Sequence, residues 1–219
     1  MLTQCQIWRE RTLPKGSLEL KSSRREEIVD ACASLYETMC FKDITMKEIG
    51  KVTSFTRTAI YNYFHTKEEI FLALLQREYE LWAADLEAMA DAHEALTADE
   101  LARELARSLE VRVRLLKLMS MNHFDMEANS RLERLVEFKT AYGASLRAVL
   151  RCLEKFCPGM TERDRQDLIY SFFPFVYGIY PYTTVTEKQR AAMEAAGIDY
   201  AYLSIYDMAY ACAKKLLKP

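Results

Sequence analysis

The sequence predicts an all-α protein, and three observations support this fold class. Apolar residues recur every three or four positions through long segments, as Leu101, Leu105 and Leu109 do, which is typical of one face of a helix. Serine or threonine followed three residues later by an acidic or amide side chain, a pattern that begins many helices, occurs repeatedly. Sustained alternation of apolar and polar residues, which would indicate strands, is absent.

The helix-start pattern locates the elements in chain order. It occurs at Ser23, Thr45, Thr66, Thr97, Thr161 and Thr186. Together with the apolar periodicity, these signals predict helices over residues 24–39, 46–52, 56–63, 67–91, 98–120, 130–156, 162–181, 187–195 and 200–217, with a break at 122–129. The shorter predicted helices therefore come first and the longest ones follow.

This contrast in helix length predicts two domains. Residues 23–68 are expected to form a small three-helix domain, and residues 69–219 a larger all-helical bundle. Residues 1–22 have no firm pattern, so we expect an N-terminal arm that is flexible, although an additional ordered helix is an open alternative.

Charge is distributed unevenly along the chain. The whole sequence has 30 Lys and Arg against 32 Asp and Glu, a net charge of -2, which argues against a protein coated in positive charge. Residues 1–67 carry 11 Lys and Arg against 8 Asp and Glu, a net charge of +3, whereas the remainder is acidic. Any surface that binds nucleic acid must therefore be local, and the first third of the chain is where we expect it.

Compartment and membrane signals favour the reducing cytoplasm. The six cysteines form no Cys-x-x-Cys pair, and Trp8–Glu10 interrupts the apolar run that a signal peptide would need. Residues 168–186 lack a formal charge, but they include Pro174, Gly178 and Pro181. They are therefore predicted to be a packing helix and not a membrane span, which asks for about 20 mostly apolar residues.

Catalytic and metal motifs are not expected. The sequence has no nucleophile elbow, no phosphate-cradling glycine loop and only three histidines. His123, Asp125 and Glu127 lie close together, but no second histidine lies at helical ligand spacing. We predict neither an enzyme nor a bound metal or cofactor.

The segment from Ile44 to Phe64 has the organisation of a helix-turn-helix. Two helices too short to be stable alone are separated by a three-residue turn, so tertiary packing must hold them. Burial of the apolar residues Ile49, Phe55, Ile60 and Phe64 would leave a polar set facing outward. This set comprises Thr56, Arg57, Thr58, Tyr61, Asn62 and Tyr63, whose groups suit base edges and phosphates.

At these residues the chain resembles the TetR family of transcriptional regulators. The resemblance runs from Arg24 to Leu75, and residues 56–70, TRTAIYNYFHTKEEI, nearly reproduce the family pattern of Ser-Lys/Arg-x-x-Leu-Tyr-x-x-Phe-x-x-Lys-Glu. Two departures stand at Cys40 and Ser54, where the family usually has glycine. Because glycine eases positive φ, local backbone adjustment is expected at both positions.

The resemblance implies a homodimer that binds a roughly palindromic double-stranded DNA operator. Carried over residue by residue, it implies phosphate contacts from Thr45, Tyr61 and Lys67. It implies base or groove contacts from Thr56, Arg57, Thr58, Asn62 and Tyr63. We expect the helices at 162–181 and 200–217 to form most of the dimer interface.

The remainder of the chain suggests a sensor for a small apolar or aromatic molecule. Residues 170–182 hold seven aromatics, and a second cluster of methionine and aromatic residues lies near residue 120. A mainly apolar pocket is predicted, lined by some of Trp82, Leu116, Met119, Phe124, Phe138, Tyr142, Phe173 and Tyr177. The expected function is then a repressor released by its ligand.

Other interpretations of the same residues stay open. The aromatics can simply fill the core and the dimer interface. In that case the chain would be a dimeric DNA-binding architectural or activator protein whose C-terminal domain binds a protein partner. An all-α enzyme would require a polar cleft with perturbed titratable groups.

Overall fold

The computed structural model describes residues 15–121 and 123–217, and within these ranges it contains eleven helices and no strand. The all-α prediction is therefore confirmed. The chain divides into two compact units, Met1–Ile70 and Phe71–Pro219, which are described separately.

The N-terminal unit consists of three helices and the start of a fourth. They are α1 (Lys15–Thr38), α2 (Met46–Lys51), α3 (Arg57–Ile60) and the first residues of α4 (Lys67–Ala92). Helix α1 begins nine residues earlier than predicted, so residues 15–22 are helical and Ser23 lies inside the helix. Good helix formers upstream of Ser23 outweigh its capping signal, and residues 1–14 of the expected arm lie outside the described part.

Packing of the N-terminal unit explains how its short helices persist. Helix α3 has four residues and could not be stable alone. Ile28 of α1, Ile49 of α2, Ile60 of α3 and Phe64 after it are all fully buried. These residues form the apolar centre that orients the outward side chains of α2 and α3.

The C-terminal unit contains the rest of α4 and seven further helices. They are α5 (Ala98–Glu110), α6 (Val113–Met119), α7 (His123–Ala128), α8 (Leu132–Phe156), α9 (Glu162–Thr183), α10 (Glu187–Ala195) and α11 (Ile205–Leu216). The predicted helix at 98–120 is interrupted at Arg112, whose Nε donates to Asp85 at 2.6 Å. Helix α7 occupies the predicted break, and α11 starts later than predicted, at a cap formed by Ser204.

Local capping sets most of the helix starts. The Thr45 hydroxyl accepts from the Glu48 amide, and the Thr186 hydroxyl accepts from the Gln189 amide. Complete reciprocal capping boxes form at Thr97 with Glu100 and at Thr161 with Asp164. These contacts satisfy helix N–H groups that would otherwise lack partners.

Helix α11 packs on α5 and α9, and a polar cluster fixes it to α5. Asp99 accepts from Lys214 Nζ at 2.8 Å, from the Tyr210 hydroxyl at 2.6 Å and from Arg103 Nε at 2.9 Å. These donors, Lys214 first, hold the pKa of the Asp99 carboxyl well below its usual range.

Two further findings concern the described residues. No helix among them is long and apolar enough to cross a membrane. Nor do their His, Cys, Asp and Glu side chains form a group of three or more that could hold a metal ion.

Candidate DNA-binding surface and effector groove

The turn between α2 and α3 is held to α1 by one carboxylate. The Ser54 amide and the Ser54 hydroxyl both donate to Glu27, the hydroxyl at 3.0 Å. Neither Cys40 nor Ser54 has a positive φ. The two glycine positions of the family pattern are therefore occupied here without left-handed backbone, and at Ser54 the side chain adds a bond that glycine could not make.

Gly50 lies where α2 packs on the start of α3. A Cβ atom placed there would lie 3.4 Å from the N, Cα and Cβ atoms of Arg57. Arg57 is the first residue of α3, so the small residue at position 50 lets that helix start directly against α2. A Cβ at position 50 would therefore meet the first residue of α3 at van der Waals distance.

Helix α3 and the residues around it present the predicted polar surface. Thr56, Arg57, Thr58, Tyr61 and Asn62 are exposed, while Ile60 between them is fully buried. Tyr63 is only half-buried, because its ring packs 6.3 Å from that of Phe55. Hydroxyl, guanidinium and amide groups thus lie together on one side of the unit, where they can donate to and accept from base edges.

Arg57 and Tyr61 form a pair on this surface. The Arg57 Nη2 donates to the Tyr61 hydroxyl at 3.1 Å, and the guanidinium carbon lies 5.8 Å from the Tyr61 ring centre. This contact orders a long side chain before any ligand arrives, which lowers the entropy cost of binding. The guanidinium keeps further donors with which it could contact guanine or phosphate.

The Lys67 ammonium makes hydrogen bonds within the N-terminal unit. Its Nζ donates to the carbonyl oxygens of Phe41 at 2.8 Å and Ile44 at 3.2 Å, and lies 4.1 Å from the Phe41 ring centre. An ammonium has three donors, so one remains for a phosphate. Sequence reasoning predicted the phosphate contact and missed the two backbone contacts.

A cleft of about 460 Å³ brings several predicted residues together. Thr45, Arg57, Tyr61 and Lys67 line it, with Met46, Lys47, His65, Thr66 and Glu68. Lys47, Arg57 and Lys67 are cationic, and Thr45, Tyr61 and Thr66 carry hydroxyl groups, whereas Glu68 is anionic. The free N–H groups at the start of α4 also favour anions. These groups are of the kind that bind phosphate, and the phosphate contact stays a prediction.

Most predicted effector residues meet in an aromatic cluster of the C-terminal unit. Tyr79 lies 6.0 Å from Phe138 and 5.5 Å from Tyr142, ring centre to ring centre. Phe173 lies 5.7 Å from both Tyr142 and Trp82. Sequence reasoning missed Tyr79, which is fully buried at the centre of the cluster.

Two side-chain hydrogen bonds lie inside the cluster. Trp82 Nε1 donates to the Ser108 hydroxyl at 3.0 Å, and the Tyr79 hydroxyl donates to that of Tyr177 at 2.8 Å. Burial raises the pKa of Tyr177 to about 12 and that of Tyr79 well above its usual value. Both phenols therefore stay neutral at physiological pH.

A groove of about 370 Å³ runs between α8 and α9 beside this cluster. It is lined by Tyr142, Leu146, Arg147, Leu150, Glu162, Gln166, Ile169, Tyr170, Phe173 and Pro174. Of the eight predicted pocket residues, Tyr142 and Phe173 line it. Trp82, Leu116, Met119 and Phe138 are instead packed in the core, each almost fully buried.

Phe124 is a wrong prediction for an enclosed pocket. It is 85% exposed, on the short helix α7. A helix of six residues is too short for aromatic content alone to indicate which side is buried. His123 begins the same helix, and its side chain lies outside the described residues.

A helix-turn-helix with an outward polar recognition segment, followed by a larger helical unit, defines a transcriptional regulator of the helix-turn-helix class. The chain belongs to the TetR family. Residues 28–74 match the model for the N-terminal domain of bacterial regulatory proteins of the tetR family, and residues 76–208 match the tetracyclin repressor-like C-terminal domain. The family consists of transcription factors and not enzymes, as the sequence predicted.

Similar proteins agree with this assignment. The chain is 32% identical over 63 residues to the uncharacterized HTH-type transcriptional regulator YfiR of Bacillus subtilis, a match spanning 29% of this chain and 31% of that relative. A proposed TetR-family regulator from Mesorhizobium loti has a similar fold, with a TM-score of 0.55 at 16% identity over 90% of this chain and 96% of that one. The fatty acid degradation regulator FadR from Bacillus halodurans also has a similar fold. Its TM-score is 0.50 at 14% sequence identity, over 89% of this chain and 94% of that one.

Proposed function

We propose that this chain is a homodimeric repressor that binds a roughly palindromic operator through α3 and is released by a small, uncharged, partly aromatic ligand. The observation that carries the DNA-binding part is the exposure of Thr56, Arg57, Thr58, Tyr61 and Asn62 around a fully buried Ile60. One four-residue helix makes few base contacts, so a two-fold dimer is needed to double the readout.

A surface on α9 supports the dimer. Residues 168–186 carry no formal charge, yet Tyr170 is 68% exposed and Tyr182 is 55% exposed, with Pro174 and Gly178 exposed between them. We call these four residues the α9 stripe. An uncharged, partly aromatic stripe on a surface helix is typical of a contact between proteins.

We propose α8, in place of α11, as the second helix of this interface. The outward side of α11 carries Asp207, Lys214 and Lys215, and Lys214 belongs to the cluster that fixes α11 to α5. The groove beside the α9 stripe is lined from α8 by Leu146 and Leu150, which are apolar, together with Tyr142 and the exposed Arg147. We therefore revise the expected interface from 162–181 with 200–217 to α8 with α9.

Tyr170→Asp tests this assembly. A buried carboxylate without a partner is costly, so sedimentation should detect dissociation of the variant at concentrations where the parent chain is dimeric. Val111→Asp is the matched control, because Val111 is an exposed aliphatic residue outside α8 and α9. A dimer equally stable in both variants would refute the interface.

Selection from random duplexes tests DNA binding. The chain should enrich a roughly palindromic site, and gel shifts with the enriched duplex should weaken steeply as salt increases, because bound phosphates release counterions. Arg57→Ala should reduce discrimination between the selected site and a scrambled one, whereas Arg107→Ala, an exposed arginine of α5, should not. A selection that enriches nothing would refute specific binding.

The α8/α9 groove is the candidate effector site. Its volume of about 370 Å³ lies at the lower end of the range of small-molecule pockets. Tyr142 and Phe173 connect it to the aromatic cluster, whose phenols are neutral. Tyr170 and Pro174 belong to both the groove and the α9 stripe, so a second subunit over the stripe would help to enclose a ligand.

A thermal-shift screen of uncharged aromatic and apolar compounds tests sensing. Each compound that raises the melting temperature is then added to the operator complex, and a hundredfold loss of affinity corresponds to about 2.7 kcal/mol of coupling. Tyr142→Ala should abolish the shift, and so should Leu146→Trp, which fills the groove. Tyr142→Ala should leave operator binding without ligand unchanged.

One observation favours the second candidate, an architectural or activator protein whose C-terminal unit binds a protein. Trp82, Leu116 and Phe138 are packed without exposure and do not line the groove. If no compound stabilises the protein, or if stabilising compounds leave DNA affinity unchanged, this candidate replaces the sensor. A cytoplasmic location stays a prediction for both.

A further inference from the structure

The segment between α9 and α11 has an unusual environment. It comprises residues 184–204 and contains helix α10 (Glu187–Ala195). We call this segment, and no longer the N-terminal residues 1–22, the arm. All 21 of its residues are described, and none of them is buried. Its apolar side chains include Ile198, 51% exposed, and Leu203, 46% exposed.

The arm nevertheless has a specified local structure. Helix α10 begins after the Thr186 cap and ends at Ala195, and Gly197, two residues further on, has φ +66°. The amides of Gly197 and Ile198 donate to the carbonyl oxygens of Glu194 and Met193, both at 3.0 Å, which is the hydrogen-bond pattern of a Schellman motif. Positive φ is required here, and glycine supplies it without strain.

Side chains after the motif add to this order. The Arg190 guanidinium lies 4.3 Å from the ring centre of Tyr202, and the Tyr200 and Tyr202 rings meet edge to face at 5.2 Å. The chain therefore returns along α10 after the turn, in a defined conformation that leaves Ile198 and Leu203 exposed.

Isolated helices of this length are not stable in water. Helices shorter than about 12 to 15 residues are marginal even with favourable sequences, and most helical stability in proteins comes from packing of an apolar face. Helix α10 has nine residues, and none of them is buried against the part of the chain that the structure describes. The capped helix therefore needs a surface outside the chain.

We infer that the arm packs against the second copy of the chain, across the dimer interface. This inference rests on the dimer proposed above. The arm continues directly from the end of the α9 stripe at Tyr182, so a second copy that covers the stripe is the first external surface next to the arm. Covering Ile198 and Leu203 would give α10 the apolar packing that it lacks.

Two measurements on the full chain test this inference. Amide hydrogen exchange over 184–204 should be slow when the protein is dimeric, and should become fast on dilution below the dimer dissociation constant. Ile198→Asp should raise the dimer dissociation constant, measured by sedimentation, about a hundredfold. A symmetric dimer contains two equivalent arm contacts, and we expect the loss of each one to raise this constant about tenfold. Val111→Asp again supplies the exposed aliphatic control.

The outcomes separate this inference from the proposed dimer. A dimer that is lost in Tyr170→Asp, but whose arm exchanges rapidly and whose stability Ile198→Asp leaves unchanged, would overturn the arm contact alone. A parent chain that is monomeric at every concentration would overturn both. Arm protection that persists unchanged in the monomer would also overturn the arm contact, because no partner would then be needed.

Discussion

Replacing Lys67 by alanine should separate two roles of one ammonium group. In the free protein its Nζ holds the carbonyl oxygens of Phe41 and Ile44, at 2.8 and 3.2 Å. Hydrogen bonds from a charged donor contribute about 1.5 to 3 kcal/mol each, but Lys67 is only half-buried. We therefore expect Lys67→Ala to destabilise the turn at 41–44 by about 2 kcal/mol in total.

Amide hydrogen exchange measures this loss directly. The amides of Asp43 and Ile44 donate to the Cys40 carbonyl inside the turn, and 2 kcal/mol corresponds to exchange about 30-fold faster. The second role is measured by anisotropy on the selected operator at several salt concentrations. Loss of one phosphate contact should reduce the log-log slope by about 0.9.

Lys42→Ala supplies the control, because Lys42 is an exposed lysine in the same turn. It removes an equal charge without removing the two carbonyl contacts, so exchange at Asp43 and Ile44 should change little. An unchanged salt slope in Lys67→Ala would refute the phosphate contact. Unchanged exchange at the turn would refute the structural role.

Three further predictions follow from contacts described above. Glu27→Ala should weaken operator binding about fivefold by anisotropy, because the amide and hydroxyl of Ser54 lose their shared acceptor, about 1 kcal/mol; equal affinity would contradict it. Because the pKa of Asp99 is lower in the folded than in the unfolded protein, its ionised carboxylate stabilises the fold at pH values above the unfolded-state pKa. The free energy of unfolding should therefore fall as the pH drops from about 5 to about 3. Asp99→Asn should flatten that part of the melting-temperature profile, and a parallel profile would count against the cluster. Tyr79→Phe should cost about 1 kcal/mol in urea unfolding, since the donor to Tyr177 is lost; an unchanged midpoint would show that this bond adds nothing.

Helix starts were predictable where the signal is local. The caps at Thr45, Thr97, Thr161 and Thr186 each depend on residues within one turn, and all four begin helices as predicted. Ser23 has the same pattern but lies inside α1. A capping motif permits a helix to begin, but it does not prevent a helix that began upstream from continuing.

Sites that depend on distant residues were less predictable. The exposed residues of α3 followed from the apolar period that buries Ile60 and Phe64. The contact of Lys67 with Phe41 joins residues 26 positions apart, and no periodicity indicates it. The groove likewise arises because α8 lies beside α9, so sequence reasoning found Tyr142 and Phe173 but not the aliphatic residues around them.

The indole of Trp82 gives the protein an internal optical reporter. The sequence contains two tryptophans, so Trp8→Phe would leave Trp82 as the sole tryptophan, and its fluorescence would report on this buried site alone. Its N–H is bonded to Ser108, and its ring lies 5.7 Å from Phe173, which lines the groove. A molecule entering the groove would therefore be separated from the fluorophore by a single aromatic ring, and its arrival could be followed in real time without a label.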